Sequence, residues 1–310
     1  IIFINSNVFR HYWNQNKIFI FSFFEKLRSK NIKAFWFDTT DSTWCTQFEV
    51  MPFVHKFLKG QIFRDKTNYL KRFRTGRIYT DYFDELYHSG EKSENFPLPA
   101  KTELDKMTLS WNTCFENYNE NRYSLQGKIK NLIRPFIANF AKENLKINWE
   151  NTKKNRKIPL ACRVGTSHSR PSVADHRKAI MEKLLKYNVP QGKIPLEKYF
   201  AELRNSQIAV SPFGVGEITL RDYEIIICGA TLLKPDMSHM ETWPELFVPD
   251  KTFIEFKWEL SDLDKKIEAL LNDPEKCHYI AKNAQEIYSN HLSETGFANF
   301  AKRLEKITFE

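Results

Sequence analysis

The chain has 310 residues, more than one ordinary core accommodates, so two domains are expected. Hydrophobic residues make up 42%, which excludes a wholly disordered chain. Lys and Arg outnumber Asp and Glu by 47 to 38, and the formal charge of +9 favours anionic partners. The excess is spread out rather than gathered into the dense basic block of a nucleic-acid arm, so no nucleic acid is expected, while peripheral contact with an anionic membrane is compatible with it. The five cysteines (Cys45, Cys114, Cys162, Cys228 and Cys277) are odd in number and show no CxxC or Cys/His zinc spacing. Buried free thiols and a cytoplasmic setting are the expectation. The longest apolar run, Ile18–Phe24, falls far short of the roughly 20 residues of a spanning helix.

Along the chain, Ile1–Asn5 reads as a buried strand and Phe9–Lys30 has apolar residues at helical spacing. Ile32–Phe37 reads as a strand running into the polar loop Asp38-Thr-Thr-Asp41-Ser-Thr, the layout of the carboxyl edge of a parallel sheet. Val50–Lys56 and Gly60–Asp65 are short strand or helix candidates, and Lys66–Lys92 reads as long loops with one helix. Lys128–Asn144 is amphipathic and closes the first domain, and polar Asn148–Lys157 is the expected linker. Thereafter strands and helices alternate. Strands are expected at Ile158–Val164, Gln207–Ser211, Thr231–Lys234 and Thr252–Phe256. Helices are expected at Val173–Tyr187, Leu196–Asn205, Leu220–Cys228 and Ser261–Leu271, with one or two more in Pro274–Lys306. Gly229 is a fitting C-cap and Ser261-Asp262 a fitting start. This alternation predicts an α/β fold of two Rossmann-like domains, 1–150 and 158–310, with a cleft between them.

The densest chemical candidate is Ser211-Pro-Phe-Gly214-Val-Gly216-Glu217-Ile-Thr219-Leu-Arg221-Asp-Tyr-Glu224, between a strand and a helix. Its glycines let a ligand approach the backbone, and the helix N-terminus suits a phosphate. Arg221 falls in the first helical turn, where a cation opposes the dipole unless an anion binds there. Glu224 lies one turn on, within reach of a ribose hydroxyl pair. A glycine turn with a surface Arg–Glu pair is the structural alternative. In the first half, Asp38 and Asp41 at the strand end are candidate general bases, and an Asx-type turn is the alternative for them. The histidines show no metal spacing, so no metal or other cofactor is expected.

The segment Gly216-Glu-Ile-Thr219-Leu-Arg221-Asp-Tyr-Glu224, followed by Gly229-Ala-Thr-Leu-Leu-Lys234-Pro, resembles the nucleotide-sugar site of two-Rossmann (GT-B) glycosyltransferases. The likeness is to the exostosin and capsule-associated protein O-glucosyltransferase groups. Glu241-Thr-Trp243-Pro, Leu260-Ser-Asp262-Leu, Asn272-Asp-Pro and Ile280-Ala-Lys-Asn are similar to the same tail. The resemblance covers about 100 residues, a rough count from these motifs. It implies a metal-independent, inverting transfer from a nucleotide-sugar donor to a glycan, lipid-linked or protein acceptor, as in polysaccharide biosynthesis. It also implies that the loop Arg163-Val-Gly165-Thr166-Ser-His-Ser-Arg170 approaches the donor diphosphate through Arg163 or Arg170, with Thr166 between them. The usual Arg-Gly pair is split here by Val164. A non-catalytic nucleotide-sugar-binding protein or a nucleic-acid-binding α/β protein is the alternative, because a shared fold does not fix a function.

Overall fold

Apolar strands that end in small polar loops set the architecture, seen here in a computed structural model that describes residues 1–44, 47–119, 147–153 and 155–310. In the first half, β1 (Ile2–Asn5), β2 (Ala34–Asp38), β3 (Lys56–Lys59) and β5 (Met107–Leu109) form a parallel sheet in that order. Alternation along the strands feeds two layers. Ile4, Trp36 and Phe57 pack with Ile20 and Phe24 of helix α1 (Lys17–Ser29), whereas Phe35 and Leu58 point to the opposite face.

The second half repeats the plan. Its parallel sheet runs β6 (Ile158–Ala161), β7 (Ser206–Val210), β8 (Thr231–Pro235), β10 (Ile254–Phe256). On one face Leu160, Ile208, Val210 and Leu233 meet α3 (Pro171–Leu184), α6 (Leu263–Leu271) and the start of α7 (Pro274–His291). On the other, Ala161, Ala209 and Leu232 meet α4 (Leu196–Asn205), α5 (Leu220–Ile227) and the end of α7. The expected α/β architecture of two parallel-sheet units is present. Gly229 follows α5 in the left-handed region at φ 67°, where a side chain would also meet Arg156 and the Glu150 carbonyl. The described cysteines, Cys114, Cys162, Cys228 and Cys277, are free and buried, and Cys45 lies outside the described residues.

Three features were not legible as local pattern. The short strands β4 (Gln61–Phe63) and β9 (Met240–Thr242) pair antiparallel, although they belong to opposite halves of the chain. The one helix expected in Lys66–Lys92 is α2 (Ile78–Tyr87), but its packing against α3 was not legible, with the Phe83 ring stacked on His176 at 3.8 Å. Burial there pushes His176 down to about 3, so the imidazole is neutral in the fold. Finally, α8 (Glu294–Phe309) returns to the first sheet, where Ile307 covers Phe35 and Leu58 and Arg303 donates to the Leu109 carbonyl.

The polar segment read as a linker is tied into the second core. Arg156 donates to the carbonyls of Leu203, Arg204, Ser206, Asn151 and Cys228 at 2.9–3.3 Å, closing the ends of α4 and α5. A guanidinium has the donors to do this, and composition cannot reveal it. The amphipathic stretch Lys128–Asn144 lies outside the described residues.

If α8 is what seals the first sheet, Ile307→Ala should destabilise the protein by about 2–5 kcal/mol. Phe309→Ala, at a residue 78% exposed and two positions from it, should stay within about 0.5 kcal/mol. Urea unfolding of both variants decides this, and equal midpoints would remove α8 from the core.

Candidate functional site

The loops at the carboxyl ends of the two sheets face each other. Residues 39–44 follow β2 and Gly60 follows β3, while residues 211–219 follow β7 and 236–239 follow β8. The closest approach is at Gly216. A Cβ built there would lie 1.4 Å from the Asp41 carbonyl oxygen, so only glycine fits. Beside it the Tyr79 hydroxyl, on α2, donates to the Val215 carbonyl at 2.6 Å.

Glu217 is buried at this junction. Its carboxylate accepts from the Thr43 amide at 3.1 Å, the Thr43 hydroxyl at 2.6 Å and Gln61 Nε2 at 3.2 Å, all from the first half. From the second half, His239 Nε2 stands 3.4 Å away, and His239 Nδ1 is buried with no hydrogen-bond partner among the described residues. Burial alone would raise the Glu217 carboxyl, but His239 and the Thr43 bonds outweigh it and hold the group below its ordinary value.

A cationic patch sits on the α3 and α5 side of the same loop. Arg177, on α3, donates to the Phe213 carbonyl at 3.0 and 3.1 Å and to the Gly165 carbonyl at 3.1 Å. Arg221 reaches back to the Arg163 carbonyl at 2.9 Å and bonds the Tyr199 hydroxyl, and its Nε is buried without a partner among the described residues. Neither guanidinium has a carboxylate within 4 Å among the described residues. Burial first, and then the neighbouring Arg221 charge, push Arg177 down to about 10. Desolvation followed by the Arg177 charge also lowers His168. The two cations are thus neighbours with no carboxylate between them among the described residues, an arrangement that favours an anion electrostatically. One turn into α5, the Glu224 carboxylate accepts from the Tyr199 hydroxyl at 2.8 Å, pointing away from bulk solvent.

The residues singled out from sequence divide into three groups. Gly214, Gly216, Arg221 and Glu224 lie on this loop and helix, and Asp41 is brought onto Gly216 with its side chain exposed. Thr219 is the N-cap of α5. Asp222 Oδ2 accepts from its amide at 2.8 Å, so the N-cap amide is already taken. Thr166 is half-buried in the loop after β6.

The third group is committed elsewhere. Arg163 pairs with Glu202 at 2.6 Å and donates to the Gln191 carbonyl at 2.7 Å. Arg170 pairs with Glu94 at 2.7 Å and Glu91 at 3.3 Å, across the two halves. Glu91 also accepts from the Ser172 amide at 3.0 Å, so a carboxylate occupies the start of α3. Asp38 is buried, with Lys59 Nζ at 2.6 Å and the Thr40 hydroxyl at 2.9 Å. A carboxylate saturated and sealed in this way does not face the cleft.

Arg177, Glu217, Tyr199 and His239 were not singled out. A signal existed for Arg177: Val173, Arg177, Ile180 and Leu184 share one helical stripe, so a cation interrupts a buried face. For Glu217 and His239 there was none, because their partners come from distant segments. Among the described residues no group of three or more His, Cys, Asp or Glu is placed to hold a metal ion.

Residues 174–301 match the family model described as glycosyl transferase-like. No curated protein sequence matches the chain. Among solved structures, the chain is similar to Anabaena Alr3699/HepE, determined in complex with UDP, at 11% identity over 91% of this chain and 75% of that one, with a TM-score of 0.43. A glycosyltransferase from Rickettsia africae gives 11% identity over 92% and 78%, with a TM-score of 0.40. The C-terminal domain of a glycosyl transferase group 1 family protein (LpcC) from Francisella tularensis gives 13% over 47% and 91%, with a TM-score of 0.31.

The Glu217 geometry fixes a pH dependence. A carboxyl whose folded pKa is below its unfolded value of about 4.5 adds stability above that value and loses it as pH falls through the folded one. Glu217→Ala should cost about 3–5 kcal/mol at neutral pH, because a buried charge network loses its centre. The variant should also lose part of the decline in stability between about pH 5 and pH 3. Unfolding free energies across that range test this, and parallel wild-type and variant curves would show that Glu217 is not the titrating group.

Proposed function

We propose that the protein is a glycosyltransferase in which Arg177 and Arg221 hold the diphosphate of a nucleotide-sugar donor at the 213–219 loop. The observation that carries this reading is the pair of adjacent, half-buried guanidiniums with no carboxylate partner among the described residues, beside glycines that admit a ligand to the backbone. The glycosyl transferase-like match over residues 174–301 covers the loop, α5 and Arg177.

The chemistry follows from charge. As an acceptor hydroxyl oxygen bonds to the anomeric carbon, the bond from that carbon to the diphosphate oxygen breaks and negative charge builds on the leaving group. Arg177 and Arg221 neutralise that charge, so no step requires a metal. The hydroxyl proton passes to a carboxylate, and exposed Asp41, packed against Gly216, is the proposed base. Asp38 is not assigned that role, because Lys59 and Thr40 fill its coordination. Glu224, oriented by Tyr199, takes the ribose hydroxyls. The resemblance noted above favours inversion and a glycan, lipid-linked or protein acceptor.

Calorimetry with a panel of nucleoside diphosphates and nucleotide sugars tests the assignment. Arg177→Ala and Arg221→Ala should each weaken binding roughly ten- to hundredfold, the worth of one charge-assisted contact. Arg221→Ala should leave the melting temperature nearly unchanged, since its charge opposes the α5 dipole. Binding should survive a chelator. A large drop in melting temperature with unaltered affinity would make Arg221 a structural residue, and strict loss of binding in chelator would overturn the metal-free mechanism.

A further inference from the structure

The outward face of α1 is not the polar surface that a helix on the outside of a domain normally presents. Ile20 and Phe24 are buried against the first sheet, which turns Ile18, Phe19, Ser22, Glu25, Lys26, Arg28, Ser29 and Lys30 outward. Ile18 is 82% exposed and Phe19 53%. The Phe19 ring lies 6.0 Å from that of Tyr12, itself 51% exposed, and Val8, one turn before Tyr12, is 65% exposed. Large apolar side chains gathered this way at one corner mark a contact surface.

The charge around the corner is one-sided. Arg10, Lys17, Lys26, Arg28, Lys30 and Lys33 stand in the first 33 residues against a single acid, Glu25. Lys17 is drawn to Glu49 at 2.6 Å, while Arg10, Lys26, Arg28, Lys30 and Lys33 are exposed. Among the described residues none of those five has a carboxylate closer than the 4.0 Å contact between Arg28 and Glu25. A protruding apolar tip followed by lysines along the same helical face matches a bilayer interface, with acyl chains for the tip and anionic headgroups for the lysines.

We propose that this face, carried by Val8, Tyr12, Ile18 and Phe19 with Lys26 and Lys30, docks the protein on an anionic membrane surface. The contact is peripheral: among the described residues no helix is long and apolar enough to cross a membrane. The proposal is independent of the donor site, since none of these side chains belongs to it.

Co-sedimentation with vesicles of phosphatidylserine and phosphatidylcholine in equal parts, against phosphatidylcholine alone, tests the proposal. The wild-type chain should bind the anionic vesicles and not the neutral ones, and added salt should weaken the binding. The double variants Ile18→Ser with Phe19→Ser and Lys26→Glu with Lys30→Glu should each lose at least roughly tenfold in binding. Both pairs are on the surface, so melting temperature and nucleoside diphosphate affinity should match wild type. Equal binding to neutral vesicles, or no effect of either variant pair, overturns the proposal. A dimer in sedimentation velocity that Phe19→Ser dissociates would assign the face to a second copy of the chain instead. Failure of nucleotide binding alone would leave this result standing and remove only the glycosyl-transfer reading.

Discussion

A carboxylate placed where two sheets meet must be given several donors or it will not remain charged, and Glu217 shows how the protein meets that condition. Its donors come from the loop after β2, from β4 and from the segment after β8, so the group is satisfied only when both halves are assembled. The neighbouring contacts depend on the same closure. Gly216 can touch Asp41 only at this separation, β4 can find β9 only across it, and Tyr79 reaches the Val215 carbonyl only from α2 docked on α3. One buried charge thereby fixes the register of the cleft in which the cationic patch lies.

Each half prepares its side of that cleft with a buried Lys–Asp pair. In the first half Lys59 holds Asp38 at the ends of β3 and β2. In the second Lys234, on β8, holds Asp222 at 3.0 Å, and Asp222 in turn closes the capping box with Thr219. Such pairs add little net stability, because desolvation offsets their attraction. Their effect is positional: strand ends are locked to the loops that follow them, so Asp41 and Arg221 project from fixed backbones. A site of opposed charges needs that rigidity to keep its geometry.

Much of the scaffold was legible because it is periodic. The bounds of α4 were read to the residue, and β7, β8 and α5 nearly so, since apolar spacing and Gly229 mark them directly. The strands β4 and β9 were not, because each is three residues long and owes its existence to the other, in the opposite half of the chain. Helix α2 was blurred for a related reason. It buries Tyr79 and Phe83 against the second core, so its apolar face answers to a partner that local periodicity cannot see.

The functional residues illustrate the same division more sharply. Four arginines around the 213–219 loop are chemically alike in sequence, and what separates them is pairing. Arg163 is neutralised by Glu202, 39 positions away, and Arg170 by Glu91 and Glu94, 79 and 76 positions away. Among the described residues Arg177 is left with carbonyl oxygens, and Arg221 with the Arg163 carbonyl and the Tyr199 hydroxyl. A guanidinium already paired with a carboxylate gains little from a phosphate, because the new bond must replace an equivalent one. On the proposed reading, Arg177, held by carbonyls and lowered by burial and then by the Arg221 charge, is the guanidinium that an arriving dianion would relieve most. Pairing across the fold therefore sets Arg163 and Arg170 apart from Arg177 and Arg221, and of the latter two only Arg221 had been a candidate from sequence.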